Sequence, residues 1–223
     1  MILPDPKTTP KILLDLFEFL SSNNLISEEK INGEGRAASL IDESNIIDFM
    51  RSDSKWSEHL IEMECRTFGD FHLLDYDGET IHVINIKTTK GTTDNAFSKL
   101  GFLWAFTDMT MEELPGSIGI ERWEKMMRTR KCNIPNRDYW YLVFDKTDMS
   151  RLFLRGSKQI VNWKHNPTNK LQISWKLEWE TEIKEYSFET SFNNIYMGTK
   201  KCFFKKWKTS PKNWMIEFND EII

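Results

Sequence analysis

Cysteine is scarce in this chain and odd in number: Cys65, Cys132 and Cys202 are the three among 223 residues. Their wide spacing suggests neither a disulfide framework nor a zinc motif, so reduced thiols in a cytoplasm are expected. The four histidines (His59, His72, His82 and His165) form no ligand pattern either. No apolar run approaches the roughly 20 residues that a membrane helix needs. The start, Met1-Ile2-Leu3-Pro4-Asp5-Pro6, lacks the basic region and apolar stretch of a secretory leader, which leads us to expect a soluble protein with no membrane partner. Internal repeats, low-complexity segments and obvious linkers are missing as well. The net charge of −4 argues against a protein that coats nucleic acid without regard to sequence.

What is present suits one packed α/β domain over residues 1–223. Hydrophobic residues make up 39% and charged residues 29%, a balance that supports a core rather than wholesale disorder. Nine Trp and fifteen Phe are many for this length, and most should be core, with some left for a dimer surface. Basic residues gather in two places. One is residues 198–214, with Lys200, Lys201, Lys205, Lys206, Lys208 and Lys212. The other is residues 122–137, with Arg122, Lys125, Arg128, Arg130, Lys131 and Arg137. Each is either a phosphate-contacting surface or a solvated face.

Periodicity gives a coarse element map. Thr8 or Thr9 before Pro10 can cap a helix through about residue 21. Residues 33–50 read as a helix, since the apolar positions 40, 41, 46, 47 and 50 recur at helical spacing. Residues 56–67 are ambiguous between helix and strand. Asp94 can cap a helix over about 95–107 with Phe97, Leu100, Leu103 and Trp104 on its apolar face, covering the side of the sheet away from any ligand. Another helix is expected over 119–130. Strands are expected at 138–145, 151–155, 170–180 and 184–192. The alternation of Leu171, Ile173, Trp175, Leu177 and Trp179 with polar residues predicts an antiparallel strand with one wet face.

Residues 69–89 are the most informative stretch. Asp77-Gly78 between two apolar, β-branched runs predicts a β-hairpin. That turn puts Asp70 across from Asn85, and strand alternation puts Lys87 on the same face. An acid, a side-chain oxygen and an amine would then share one surface, the layout of a metal-dependent phosphodiesterase site. A hard cation such as Mg²⁺ takes oxygen ligands, and a nearby ammonium can offset negative charge developing on phosphate. The plain alternative is an ordinary hairpin with an acid at one end and a lysine at the other.

The wording of the second strand, Val83-Ile84-Asn85-Ile86-Lys87-Thr88-Thr89, resembles the Asp-x-Lys-Thr-Thr strand of EcoRV-like type II restriction endonucleases, within the PD-(D/E)xK nuclease superfamily. Gly69-Asp70-Phe71 is similar to that family's Pro-Asp-Phe. Residues 96–102 and the apolar run 138–144 look like the segments that follow the active-site strand. The resemblance spans about residues 69–145. It implies a restriction-endonuclease-like fold, a central mixed β-sheet flanked by helices, with DNA-contacting loops or a small subdomain within about 146–215. It also implies a homodimer on palindromic double-stranded DNA, hydrolysing phosphodiester bonds with Mg²⁺.

By the same resemblance Asp70 is a metal ligand, Lys87 the catalytic lysine, and the Ile86 carbonyl a further ligand. Asn85 stands where the family has a carboxylate, as a catalytic and metal-site position of reduced charge. Three explanations stay open for it: an introduced substitution, a natural variant of the motif, or a binder that has lost activity. Related nucleases often place a glutamate on a preceding helix, and Glu43 is the candidate, with Asp42 and Asp48 as rivals. For DNA contact the candidates are Lys90, Thr92 and Thr93 after the active strand, Asn166, Asn169 and Lys170 in a donor-rich loop, and Lys200 and Lys201. Asn and Lys suit adenine and guanine edges in the major groove. A repair or structure-specific nuclease of the same superfamily is a further alternative.

Overall fold

The computed structural model describes residues 3–23, 25–27, 35–61, 69–90, 94–115, 120–130, 137–166, 170–184 and 186–209. Its centre is a mixed five-stranded sheet of β1 (Leu60–Ile61), β2 (Phe71–Leu74), β3 (Ile81–Thr89), β5 (Tyr139–Asp145) and β6 (Asp148–Gly156), in the spatial order β1-β2-β3-β5-β6. Only β3 and β5 run parallel. A parallel pair needs a crossover. It is supplied by β4 (Asp94–Ala96), α4 (Lys99–Phe106) and α5 (Ile120–Thr129). All seven residues of β5 are buried, as expected of a strand covered on both faces.

One face of the sheet presents Phe71, Leu73, Ile84, Ile86, Trp140, Leu142, Phe144, Leu152 and Leu154. Against it pack α1 (Lys11–Ser21), α2 (Gly35–Ser52) and α3 (Ser54–His59), through residues such as Leu13, Phe17, Ile46, Met50 and Trp56. The other face presents Val83, Tyr139, Tyr141, Val143 and Phe153. It is covered by α4, by α5 and by a small antiparallel sheet of β4, β8 (Lys170–Ser174) and β7 (Trp163–Asn166). The helices α6 (Trp175–Glu180) and α7 (Phe188–Thr209) complete that layer. Burying each large apolar side chain in these layers contributes about 1.5–3 kcal/mol before entropy is counted. Among the described residues no helix is long and apolar enough to cross a membrane.

Several elements differ from the sequence reading. Asp94 opens a strand rather than capping a helix, pairing with Ser174, and Ser98 caps α4 by accepting from the Gly101 amide at 2.9 Å. Helix α4 packs on the face that carries Val83 and the two tyrosines, not on the side away from the hairpin's polar residues. The strand expected over 170–180 ends at Ser174, where a helical turn follows. Gln172 and Ser174 are buried along with Leu171, Ile173 and Trp175, so the strand has no wet face, and further on Leu177 is 48% exposed while Glu178 is fully buried. Glu178 accepts the Val161 and Asn162 amides at 2.9 and 2.6 Å and faces buried Arg155 at 3.8 Å, which explains a charged residue there. From Phe188 on, the strand expected over 184–192 is instead the start of α7, whose Phe188, Phe192 and Tyr196 stack at one-turn spacing. At the N-terminus, the Thr8 and Thr9 amides donate to the Asp5 carbonyl and Pro10 occupies the cap of α1.

Candidate active site

The hairpin has the expected register, with Phe71 opposite Ile84 and Leu74 opposite Ile81. Its turn is wider than two residues. The Asp75 amide donates to the Thr80 carbonyl at 2.7 Å, and the Asp77 carboxylate accepts the Glu79 and Thr80 amides at 2.8 Å each. Gly78 takes the left-handed conformation, φ 74°. A side chain that satisfies two backbone donors stabilises the longer loop. Asp77 and Gly78 thus mark the turn without closing it alone.

The pairing ends one residue before Asp70. There the Asp70 amide donates to the Ile84 carbonyl at 2.8 Å, and its Oδ2 accepts the Ile86 amide at 2.6 Å. The side chain thus caps a strand amide beyond the last recorded β2–β3 pair, bracketing Asn85 from both sides. Gly69 permits this close approach: a Cβ there would stand 2.6 Å from Val83 Cγ1 and 3.2 Å from the Ile84 carbonyl oxygen. Past the recorded pairing with β2, Lys87 folds back so that its Nζ donates to the Ile86 carbonyl at 2.5 Å. The ammonium then stands 3.7 Å from Asp70 Oδ2 and 3.8 Å from Glu43 Oε1. Asn85 is half-buried on the same strand face as Lys87.

Glu43 comes from α2, which docks on the opposite face through Ile46 and Met50, so the cluster gathers groups from both sides of the sheet. The rivals have other partners. Asp42 is buried and accepts from Ser27 Oγ at 2.8 Å, and exposed Asp48 pairs with Arg51 at 2.6 Å. Glu43, Asp70 and Lys87 keep 19, 26 and 18% of their side-chain surface exposed, shielded yet reachable.

Electrostatics sets this cluster apart. Burial pushes the Glu43 carboxyl up from 4.5 to about 7; Lys87 opposes the rise, Asp70 and Asp42 add to it, and Lys146 also opposes it. Burial raises Asp70 too, against Lys87 and the Ile86 amide. Two upward-shifted carboxyls at one lysine are the kind of perturbation that marks functional sites. Histidine plays another part. His72, on the hairpin's polar face, is buried and pushed down to about 4, so it is neutral at physiological pH. His59 Nδ1 meets the Leu74 carbonyl at 2.7 Å and His82 Nε2 meets Asp75 at 2.8 Å, both framing the hairpin.

The oxygen types at hand (carboxylates of Asp70 and Glu43, the Asn85 amide, the Ile86 carbonyl) suit a hard cation. Ile86 O already accepts Lys87, and Asp70 Oδ2 the Ile86 amide, leaving the second lone pair and the second carboxylate oxygen. Among the described residues no group of three or more His, Cys, Asp or Glu could hold a metal ion.

The residues expected to touch DNA are scattered. Lys90 is exposed just past β3, Asn166 is half-buried at the end of β7 opposite Lys170, and Lys201 is exposed on α7. Thr92, Thr93 and Asn169 lie outside the described residues, as do the side chains of Lys170 and Lys200 and, of the thiols, Cys65 and Cys132; Cys202 is buried. In the 122–137 cluster Arg137 is structural. Its guanidinium lies 3.3 Å from the centre of the Trp104 ring and donates to the Thr107 and Met109 carbonyls. Arg130 pairs with Glu113 at 3.0 Å. Sequence reasoning missed Lys146, whose place beside β3 depends on β3 and β5 being neighbours. Compared with family models, curated proteins and solved structures, the chain matches none.

Proposed function

We propose that this chain is a DNA endonuclease of the EcoRV-like type II restriction group in the PD-(D/E)xK superfamily. It acts as a homodimer in a prokaryotic cytoplasm, on a palindromic double-stranded site, with Mg²⁺. The observation that carries this reading is the Lys87 ammonium lying within 4 Å of the carboxylates of Asp70, its motif partner, and of Glu43, the glutamate expected from the preceding helix. Asp70, Glu43, Asn85 and the Ile86 carbonyl would hold the cation, which when bound stabilises charge on the phosphate and eases deprotonation of water. Lys87 orients the attacking water and offsets charge on the phosphate oxygens. Asp70 fixes the strand end through the Ile86 amide, so the lysine and the carboxylate keep their spacing.

Asn85 favours a second reading, a DNA-binding protein on a nuclease scaffold that no longer cuts. One experiment separates the two. The native chain and its Asn85→Asp form are incubated with plasmid DNA and Mg²⁺, and the products are end-sequenced. Discrete, sequence-defined fragments from Asn85→Asp, lost on adding Lys87→Ala, support the endonuclease. A folded Asn85→Asp protein that binds DNA and leaves every substrate intact supports the binder. Ragged or structure-dependent cutting points to a repair-type nuclease.

A further inference from the structure

We propose that the outward face of α2, with Ile26 beside it, is where a second copy of this chain docks. The proposal rests on the homodimer named above and supplies its surface. Helix α2 buries one line of residues at one-turn spacing, Ala38, Asp42, Ile46 and Met50. A helix seated in this way should turn polar residues to solvent on its other side. Instead it presents Leu40, 67% exposed, and Ile41, 44% exposed. A third apolar side chain joins them. Ser27 Oγ donates to Asp42 Oδ2 at 2.8 Å, which holds residues 25–27 against α2 one position past Ile41. Leu25 packs on the core and Ser27 is buried, so Ile26 is fixed between them, yet it is 65% exposed. Three large aliphatic side chains on one surface form a contact patch. By contrast, Leu177 on α6 and Met197 on α7 are single exposed apolar residues on their helices, among the described residues.

The charges decide which partner fits. Next to the patch α2 exposes Ser44 and Asn45, both neutral. Exposed Asp48 and Arg51 pair with each other at 2.6 Å, and Glu43 is turned to Lys87. Duplex DNA needs lysines or arginines for its phosphates. Among its described residues this face offers only Arg51, already paired to Asp48. A two-fold axis sets the same patch against itself, so an unbalanced charge on it would meet its own kind. A neutral aliphatic face escapes that repulsion and complements its own copy. Glu43 follows Ile41 by two residues on the same helix. A dimer through α2 therefore sets the two hairpin sites on either side of one interface.

The test is sedimentation velocity over about a hundredfold range of micromolar protein concentration. The native chain is compared with Leu40→Asp/Ile41→Asp, Leu40→Lys/Ile41→Lys and Ile26→Asp, with Leu177→Asp and Met197→Asp as controls. The patch substitutions fall on side chains that already meet solvent in the single chain, so circular dichroism should be unchanged. The native chain and both controls are expected to dimerise, and each patch variant to dimerise at least about tenfold more weakly. Mixing the double Asp form with the double Lys form should restore a dimer, which only a surface facing its own copy can do. If the double Asp form fails to fold, Ile26→Asp carries the same comparison. A native dimer that persists in the folded patch variants, or that a control abolishes while they leave it intact, overturns the proposal and leaves a homodimer through another surface. A native chain that stays monomeric throughout removes the homodimer and this interface together, and the plasmid assay above still decides cleavage independently.

Discussion

Glu43 should cost this fold stability at neutral pH, and Glu43→Gln makes that measurable. The carboxyl is driven up from 4.5 to about 7, first by burial, with Lys87 only partly offsetting the cost of its charge. A group whose folded value is raised contributes stability that is full below the unfolded value and is lost as pH rises through the folded one. Here the window runs from about pH 4.5 to about pH 7. Each unit of displacement corresponds to about 1.4 kcal/mol, so the ceiling is near 3 kcal/mol, and the partial exposure of the side chain brings this to about 2 kcal/mol. Glutamine keeps the shape of the protonated acid and removes the ionisation. Glu43→Gln should therefore be more stable than the native chain by about 2 kcal/mol at pH 8 and by under about 1 kcal/mol at pH 5. For a chain of this length that is a rise in Tm of about 4–8 °C at pH 8. Thermal unfolding followed by circular dichroism in EDTA at the two pH values reads the difference. An equal shift at both, or a loss at pH 8, would refute the reasoning, because it would mean that Lys87 fully compensates Glu43.

Two further substitutions test the frame around the cluster. Gly69→Ala forces a methyl against Val83 and the Ile84 carbonyl; it should cost about 1–3 kcal/mol in urea unfolding and displace the Asp70 carboxylate. An unchanged midpoint would mean that the strand end yields at no cost. Arg137→Ala loses the Trp104 stack and two carbonyl contacts, with a cost of about 2–3 kcal/mol; if the proposed DNA binding holds, it should leave the salt dependence of that binding unchanged. A slope shallower by about one would restore Arg137 as a phosphate contact.

What could be read from the sequence was what depends on neighbours in the chain. The hairpin register needed only a turn and two alternating runs, and it brought Asp70 and Lys87 together correctly. The helix Lys11–Ser21 was legible from the cap signal before Pro10 and Gly35–Ser52 from apolar spacing, and Ile120–Thr129 was also expected. The strands misread at 170–180 and 184–192 share one cause: apolar and aromatic residues spaced by two and by four satisfy both periods. Trp175 and Trp179 continue the alternation of Leu171 and Ile173, yet they also lie one helical turn apart. Arg155 with its partner Glu178 decides for helix there, a pairing 23 residues distant in sequence. Lys146 was invisible for a similar reason, because its place beside Thr89 depends on a parallel pairing that local pattern does not encode.

The separate origins of the site's charges have a consequence for its assembly. Asp70, Asn85 and Lys87 belong to one hairpin and its continuation, so they come together as soon as the register forms. Glu43 arrives on a helix held by apolar packing of Ile46 and Met50 on the far face. Without α2, Lys87 would keep Asp70 and the Ile86 carbonyl but lose its second carboxylate. Packing that dehydrates Glu43 is what raises its proton affinity, and the same packing holds it against the ammonium. The energetic penalty at Glu43 and the gathering of the cluster are therefore one event: a substitution that loosens α2 should relieve the first only by dissolving the second.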